Sequence, residues 1–109
     1  MRSYRLLAAT LCLLMLPAGG AWAAGDPVAG KQKAALCLGC HGVKTYFNVY
    51  PTYHVPKLGG QHAQYIIAAL EEYKSGQRSH GTMHAQASSL SKQDMEDIAA
   101  FFASYKQRK

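Results

Sequence analysis

The segment Cys37-Leu38-Gly39-Cys40-His41 constrains this chain more than any other. Two thiols stand three residues apart, and an imidazole directly follows the second. On a helical backbone residues i and i+3 share a face, so both sulfurs can address one flat partner while His41 reaches towards its centre. This is the spacing at which a haem is attached through two thioethers, with the histidine as proximal iron ligand. The expectation is one covalent haem c held by Cys37, Cys40 and His41, with the rest of the chain supplying the opposite wall of its pocket.

The chain does not start its working life at Met1. Arg2 and Arg5 precede an apolar run from Leu6 to Leu16, Pro17-Ala18-Gly19-Gly20 breaks it, and Ala21-Trp22-Ala23 is a small-X-small cleavage site. That order is the layout of a secretory signal peptide. The apolar run is about half the roughly 20 residues a spanning helix needs, so a membrane anchor is the weaker reading. Residues 1–23 are therefore read as a cleaved signal and 24–109 as a single exported domain, in the periplasm, with no membrane span left after cleavage. Cys12 leaves with the signal. A disulfide between Cys37 and Cys40 closes too short a loop to staple a domain, because the stabilisation grows with loop length.

Twelve bases against six acids give a net charge of +6, and loss of Arg2 and Arg5 leaves +4 on residues 24–109. A mildly basic surface suits acidic protein partners and long-range steering, and equally serves solubility; no feature points to nucleic acid. A domain this small buries only about 60% of its unfolded surface. Small scaffolds need a staple, and a covalent haem serves as both staple and core.

Asp26 and Pro27 open a helix as N-cap and first-turn proline, and Val28 to Cys40 is rich in helix formers. Gly30 interrupts that run, either because another element approaches closely, the last helix being the candidate, or as a glycine simply tolerated near a helix end. Residues 42–60 read as a loop punctuated by Gly42, Asn48, Pro51, Pro56, Gly59 and Gly60. A loop that long belongs in a small domain only if it wraps something. Tyr46, Phe47, Tyr50 and Tyr53 either line the edge of a haem or cluster beneath the loop.

A second helix from about Gln61 to Ser75 carries Tyr65, Ile66, Ala69, Leu70 and Tyr73 as one apolar stripe, with Gly76 in the stop position. Residues 77–90 read as a second irregular stretch. The last helix opens at Ser91, with Asp94 completing a capping box, and buries Met95, Ile98, Ala99, Phe102 and Tyr105; Lys106, Arg108 and Lys109 suit its negative end. No alternation suggests a strand. The expected fold is all-α, three main helices with long loops wrapped around one covalent haem.

The second axial position has six candidates: Met83, Met95, His54, His62, His80 and His84. Met95 sits on an apolar stripe, where Met is usually core filler. Met83 lies 42 residues after His41 in a stretch that Gly81 and Thr82 allow to bend, and opposite an attached haem it is the favoured ligand, ahead of His84 and His80. A Met thioether raises the reduction potential relative to a second His. Ligation of both axial positions by protein leaves no open site on iron, which favours outer-sphere electron transfer.

The chain resembles the class I c-type cytochromes, in the branch of short bacterial periplasmic monohaem carriers. The matching pieces are Gly30-Lys31, Cys37-Leu38-Gly39-Cys40-His41-Gly42, Pro56-Lys57-Leu58-Gly59-Gly60-Gln61, Met83, and Leu90-Ser91 leading to Ile98-Ala99-Ala100-Phe101-Phe102. The resemblance implies the cytochrome c fold and an electron carrier between redox partner proteins rather than an enzyme. It further implies that Gly30 packs against the terminal helix near Phe101 and Phe102, and that the Pro56 carbonyl accepts a hydrogen bond from His41 Nδ1. Leu58 and Leu70 would pack on the haem, and Arg78 either approaches a propionate or stays solvated. One departure stands out: Val43 to Val55 is more aromatic than the glycine-rich stretch usual in the family.

Rival readings use the same residues. A zinc module would add two of the spare histidines, His80 and His84 being four apart, to Cys37 and Cys40. A thiol–disulfide oxidoreductase has the Cys-X-X-Cys motif but lacks the βαβ context. A haem enzyme or gas sensor would leave Met83 off the iron. A haem subunit of a larger periplasmic oxidoreductase would look the same as a free carrier.

Overall fold

The computed structural model describes residues 25–43 and 45–105. The signal segment 1–23 with its cleavage site, and Lys106, Arg108 and Lys109, lie outside the described residues. The elements, in order, are α1 (Pro27–Lys33), α2 (Ala35–His41), β1 (Phe47–Val49), β2 (Thr52–His54), α3 (Ala63–Ser75), α4 (Gly81–Ser88) and α5 (Lys92–Ser104).

Local chemistry sets most of the helix ends. Asp26 stands in extended backbone and its carboxylate accepts the Val28 N–H at 2.8 Å, with Pro27 in the first turn. The helix expected over Val28 to Cys40 is present but broken once, at Ala34, into α1 and α2. Hydrogen bonds from Ala34 N–H to Gly30 O and from Leu38 N–H to Ala34 O carry the ladder across the break, while the Ala34 side chain is fully buried. Gly76 closes α3 in the left-handed conformation, φ 82°, a geometry that costs Gly little. At α5 the Ser91 hydroxyl accepts the Asp94 N–H, and the Asp94 carboxylate accepts the Ser91 N–H.

Two stretches depart from the loop reading. Residues 42–60 contain a hairpin: β1 pairs antiparallel with β2, Phe47 opposite His54, Asn48 opposite Tyr53 and Val49 opposite Thr52. Aromatic and β-branched residues favour the pleated surface. Asn48 Nδ2 donates to Pro51 O and the Thr52 hydroxyl to Val49 O, so side chains bind the turn that an Asn-Gly pair would otherwise form. Residues 77–90 contain α4, with His80 as its N-cap. The helix-rich class stands, with five helices and a two-stranded sheet among the described residues.

The core lies where α5 meets its neighbours. It packs on α1 and on α3, and α4 packs on α3. Ile66, Leu70, Ala87, Met95, Ile98, Ala99, Phe101 and Phe102 form one buried cluster, against which Cys37, Leu38, Leu58 and Met83 pack from the side. Each fully buried large side chain contributes about 1.5–3 kcal/mol relative to exposure. Tyr105 caps α5 and, half-buried, packs against this cluster with its ring stacked on Phe101 at 5.2 Å between centroids.

The α1–α5 contact also carries a polar network. Asp97 is 3% exposed and accepts the Asp26 N–H at 2.8 Å, Lys33 Nζ at 2.6 Å and Gln93 Nε2 at 2.8 Å. Lys33 also pairs with Asp94 at 2.8 Å. Lys33, then the Asp26 N–H and Gln93, hold the Asp97 carboxyl below the usual carboxylate range; Lys33 and Ser91 do the same to Asp94. A folded value below the unfolded one stabilises fully above about pH 4 and loses that contribution as pH falls through the folded value. Asp97→Asn is therefore expected to lower the denaturant midpoint at pH 7, with the gap to the native chain closing as pH drops below about 4. A gap that persists unchanged at low pH would show that the carboxylate charge is not what holds the contact.

Candidate haem site

A cleft of about 430 Å³ opens between α2, the hairpin, the loop after it, α3 and α4. The last turns of α2 bring Cys37, Cys40 and His41 to one part of its wall, and the first turn of α4 brings Met83. Helical spacing explains the first group, since Cys37 and Cys40 are one turn apart. Cys37 is half-buried and burial pushes its thiol pKa up, whereas Cys40 is exposed.

His41 Nδ1 lies 2.7 Å from the Pro56 carbonyl oxygen. With Nδ1–H donating there, the ring orientation is set and the lone pair falls on Nε2, the arrangement usual for a metal-ligating histidine. Pro56 can serve because it follows Val55, which is 7% exposed and donates its N–H to Tyr46 O at 2.9 Å, anchoring the loop to the base of the hairpin. Leu58, Ile66 and Leu70 supply apolar wall, and Lys57, Gln61 and Arg78 supply polar groups. Arg78 lies 4.9 Å from the centre of the Tyr73 ring and donates to the Tyr65 hydroxyl at 3.5 Å, so it is held by two aromatic residues of α3.

All eight residues singled out from sequence for the site, Cys37, Cys40, His41, Met83, Pro56, Leu58, Leu70 and Arg78, line this one cleft. Among the rival ligands, Met95 is 3% exposed in the core and His62 begins α3, neither on the cleft wall. His84 donates from Nδ1 to Tyr73 O at 2.7 Å, while His54 and His80 line the cleft, His54 with its ring against Phe47. Of the loop aromatics, Tyr53 lines the cleft; Phe47 and Tyr50 are exposed, Tyr50 at 94%.

Sequence reasoning missed the capping role of His80 and the Asp97 network. The second had a signal: Asp97 falls four residues before Phe101, on the face of α5 that Gly30 was expected to meet.

Paired thiols, a histidine with its far nitrogen engaged, a thioether and mostly apolar walls fit a flat apolar ring that carries a metal. Fold and cleft together define a class I c-type cytochrome. The profile of the cytochrome c family matches residues 27–106, and the chain belongs to that family. It is 42% identical over 102 residues to cytochrome c4 of Pseudomonas aeruginosa, covering 94% of this chain and 49% of that protein. It is 39% identical over 84 residues to cytochrome c-554(548) of Halomonas halodenitrificans, covering 74% of this chain and 98% of that protein. The crystal structure of reduced recombinant cytochrome c4 from Pseudomonas stutzeri superposes with a TM-score of 0.57 at 28% identity, over 75% of this chain and 50% of that one. The chain thus spans about half the length of the cytochrome c4 relatives. The family binds haem c and carries electrons, and this chain has the fold that goes with it.

Proposed function

We propose that the chain is a periplasmic electron carrier with a single haem c, joined to Cys37 and Cys40 and ligated by His41 and Met83. One observation carries this reading: the only Cys-X-X-Cys-His in the sequence and Met83 reach the same cleft from different helices. When bound, haem supplies a one-electron ferric–ferrous couple, and the axial ligands set its potential.

The protein's part is to hold that couple still. Pro56 fixes the His41 ring through its carbonyl. Leu58 and Leu70 would keep water from a bound haem, and Arg78, braced by Tyr65 and Tyr73, would offer positive charge to a propionate. His41 and Met83 together would leave no open site for a partner on a bound haem, and the +4 charge of residues 24–109 would favour partners with acidic docking surfaces. Removal of residues 1–23 as an export signal completes the reading. Among the described residues no helix is long and apolar enough to cross a membrane.

The experiment is production in a host that exports proteins and attaches haem. The native chain is expected to emerge coloured, starting at Ala24, with the mass of one added haem and no titratable thiol. The double variant Cys37→Ser/Cys40→Ser is expected to emerge colourless. A native chain that emerges colourless with both thiols free would sink the reading. The second reading is a haem c electron-transfer subunit of a larger periplasmic oxidoreductase complex; co-purification of a stoichiometric partner chain from the native source would select it.

A further inference from the structure

Met83 stands in the first turn of a helix that has little of its own to keep it in place. α4 is eight residues long and buries only Ala87, and helices this short are marginal without outside support. The support sits on either side of Met83. His80, in extended backbone at φ −167°, ψ 106°, caps the helix by accepting the Met83 N–H on Nδ1 at 3.3 Å. His84 donates to the Tyr73 carbonyl at 2.7 Å and ties the next turn to α3.

The His80 ring is itself held. It stands edge-on to Tyr73 of α3, centroids 6.1 Å apart, and edge-on to Tyr53 of β2, centroids 4.7 Å apart. Such edge-to-face pairs are favourable at these separations. The Tyr53 hydroxyl also lies 3.4 Å from the Thr82 hydroxyl, the residue before Met83. A continuous path of contacts thus runs from the hairpin, through one tyrosine and one histidine, to the backbone of Met83.

We propose that Tyr53 and His80 are positioning residues for Met83, and that the aromatic hairpin clamps the start of α4 so that the thioether stays on iron. The proposal rests on Met83 being the distal ligand. It assigns a task to the segment where the chain departs from the resemblance, residues 43–55.

The test is displacement of the sulfur ligand by added imidazole in the ferric haem-loaded chain, followed through loss of the sulfur–iron charge-transfer band. Tyr53→Leu and His80→Ala are expected to reach half-displacement at roughly five- to tenfold lower imidazole than the native protein, the scale set by loss of an N-cap. His80→Asn restores a good capping acceptor without the ring and is expected to recover to within about threefold of native. Tyr53→Leu and His80→Ala both within about twofold of native would overturn the clamp, and His80→Asn as weak as His80→Ala would overturn its capping part.

Should His80→Ala fail to load haem, Tyr53→Leu, on the hairpin and outside every helix, still decides. Met83→Ala separates the two layers. A band that survives in Met83→Ala refutes the ligand assignment; a band lost there, with the clamp variants unshifted, refutes the clamp alone.

Discussion

Met83→Ala is expected to abolish the sulfur–iron charge-transfer band of the ferric protein and to lower its reduction potential by on the order of 0.1 V or more, part of the roughly 0.8 V range that axial ligation spans. The sign follows from the ligand: a thioether stabilises ferrous iron relative to a nitrogen or oxygen donor. Alanine leaves one axial position to solvent, so the ferrous variant should also bind carbon monoxide tightly while the native protein resists it. Visible spectroscopy, potentiometry and a carbon monoxide titration read all three. The neighbouring histidines are poor substitutes, because His80 accepts the Met83 N–H on Nδ1, which leaves the proton on its Nε2, and His84 does not line the cleft. Persistence of the band would hand the axial position to another residue.

Gly30→Ala should be strongly destabilising for a change of a single methyl group. A Cβ built at Gly30 would stand 1.9 Å from Asp97 O, 2.6 Å from Asp97 C and 2.9 Å from Phe101 Cβ. These are backbone and near-backbone atoms of α5, which no side-chain rotation can move away. Asp97 is itself bonded to Asp26, Lys33 and Gln93, so α5 cannot retreat without breaking that network. Overpacking of this kind costs about 3 kcal/mol or more, read as a fall in the denaturant midpoint of the haem-loaded protein. Gly39→Ala is the control: its added methyl meets no protein atom within 4 Å, and removal of a helix-interior Gly should stabilise by about 0.5–1 kcal/mol. Equal midpoints for the two variants would refute the close approach of α1 and α5.

What the sequence disclosed was what local chemistry encodes. The capping box of Ser91 and Asp94, the Gly76 stop and the Asp26 cap depend on residues within a few positions of one another. The Cys37–Cys40–His41 constellation depends on one helical turn, and the apolar stripe of α5 on the helical period. The hairpin escaped because strand pairing joins residues that local propensity treats separately. Its two-residue turn, Tyr50-Pro51, also carries no Asn-Gly signature. α4 escaped because Gly81 and Thr82 read as a bend, and a histidine stands where Ser, Thr, Asp or Asn usually caps. Asp97 escaped because its partners, Asp26 and Lys33, come from the far end of the domain.

That last separation has a consequence for the order in which the molecule is made. The contacts joining α1 to α5 span 61 to 71 residues, and closing so wide a loop is slow because chain entropy is surrendered before any contact rewards it. A nascent chain would therefore keep Cys37 and Cys40 on open, unpacked polypeptide until the last helix arrives. On the proposed reading, that interval would leave both sulfurs open to haem attachment before the cleft around them closes.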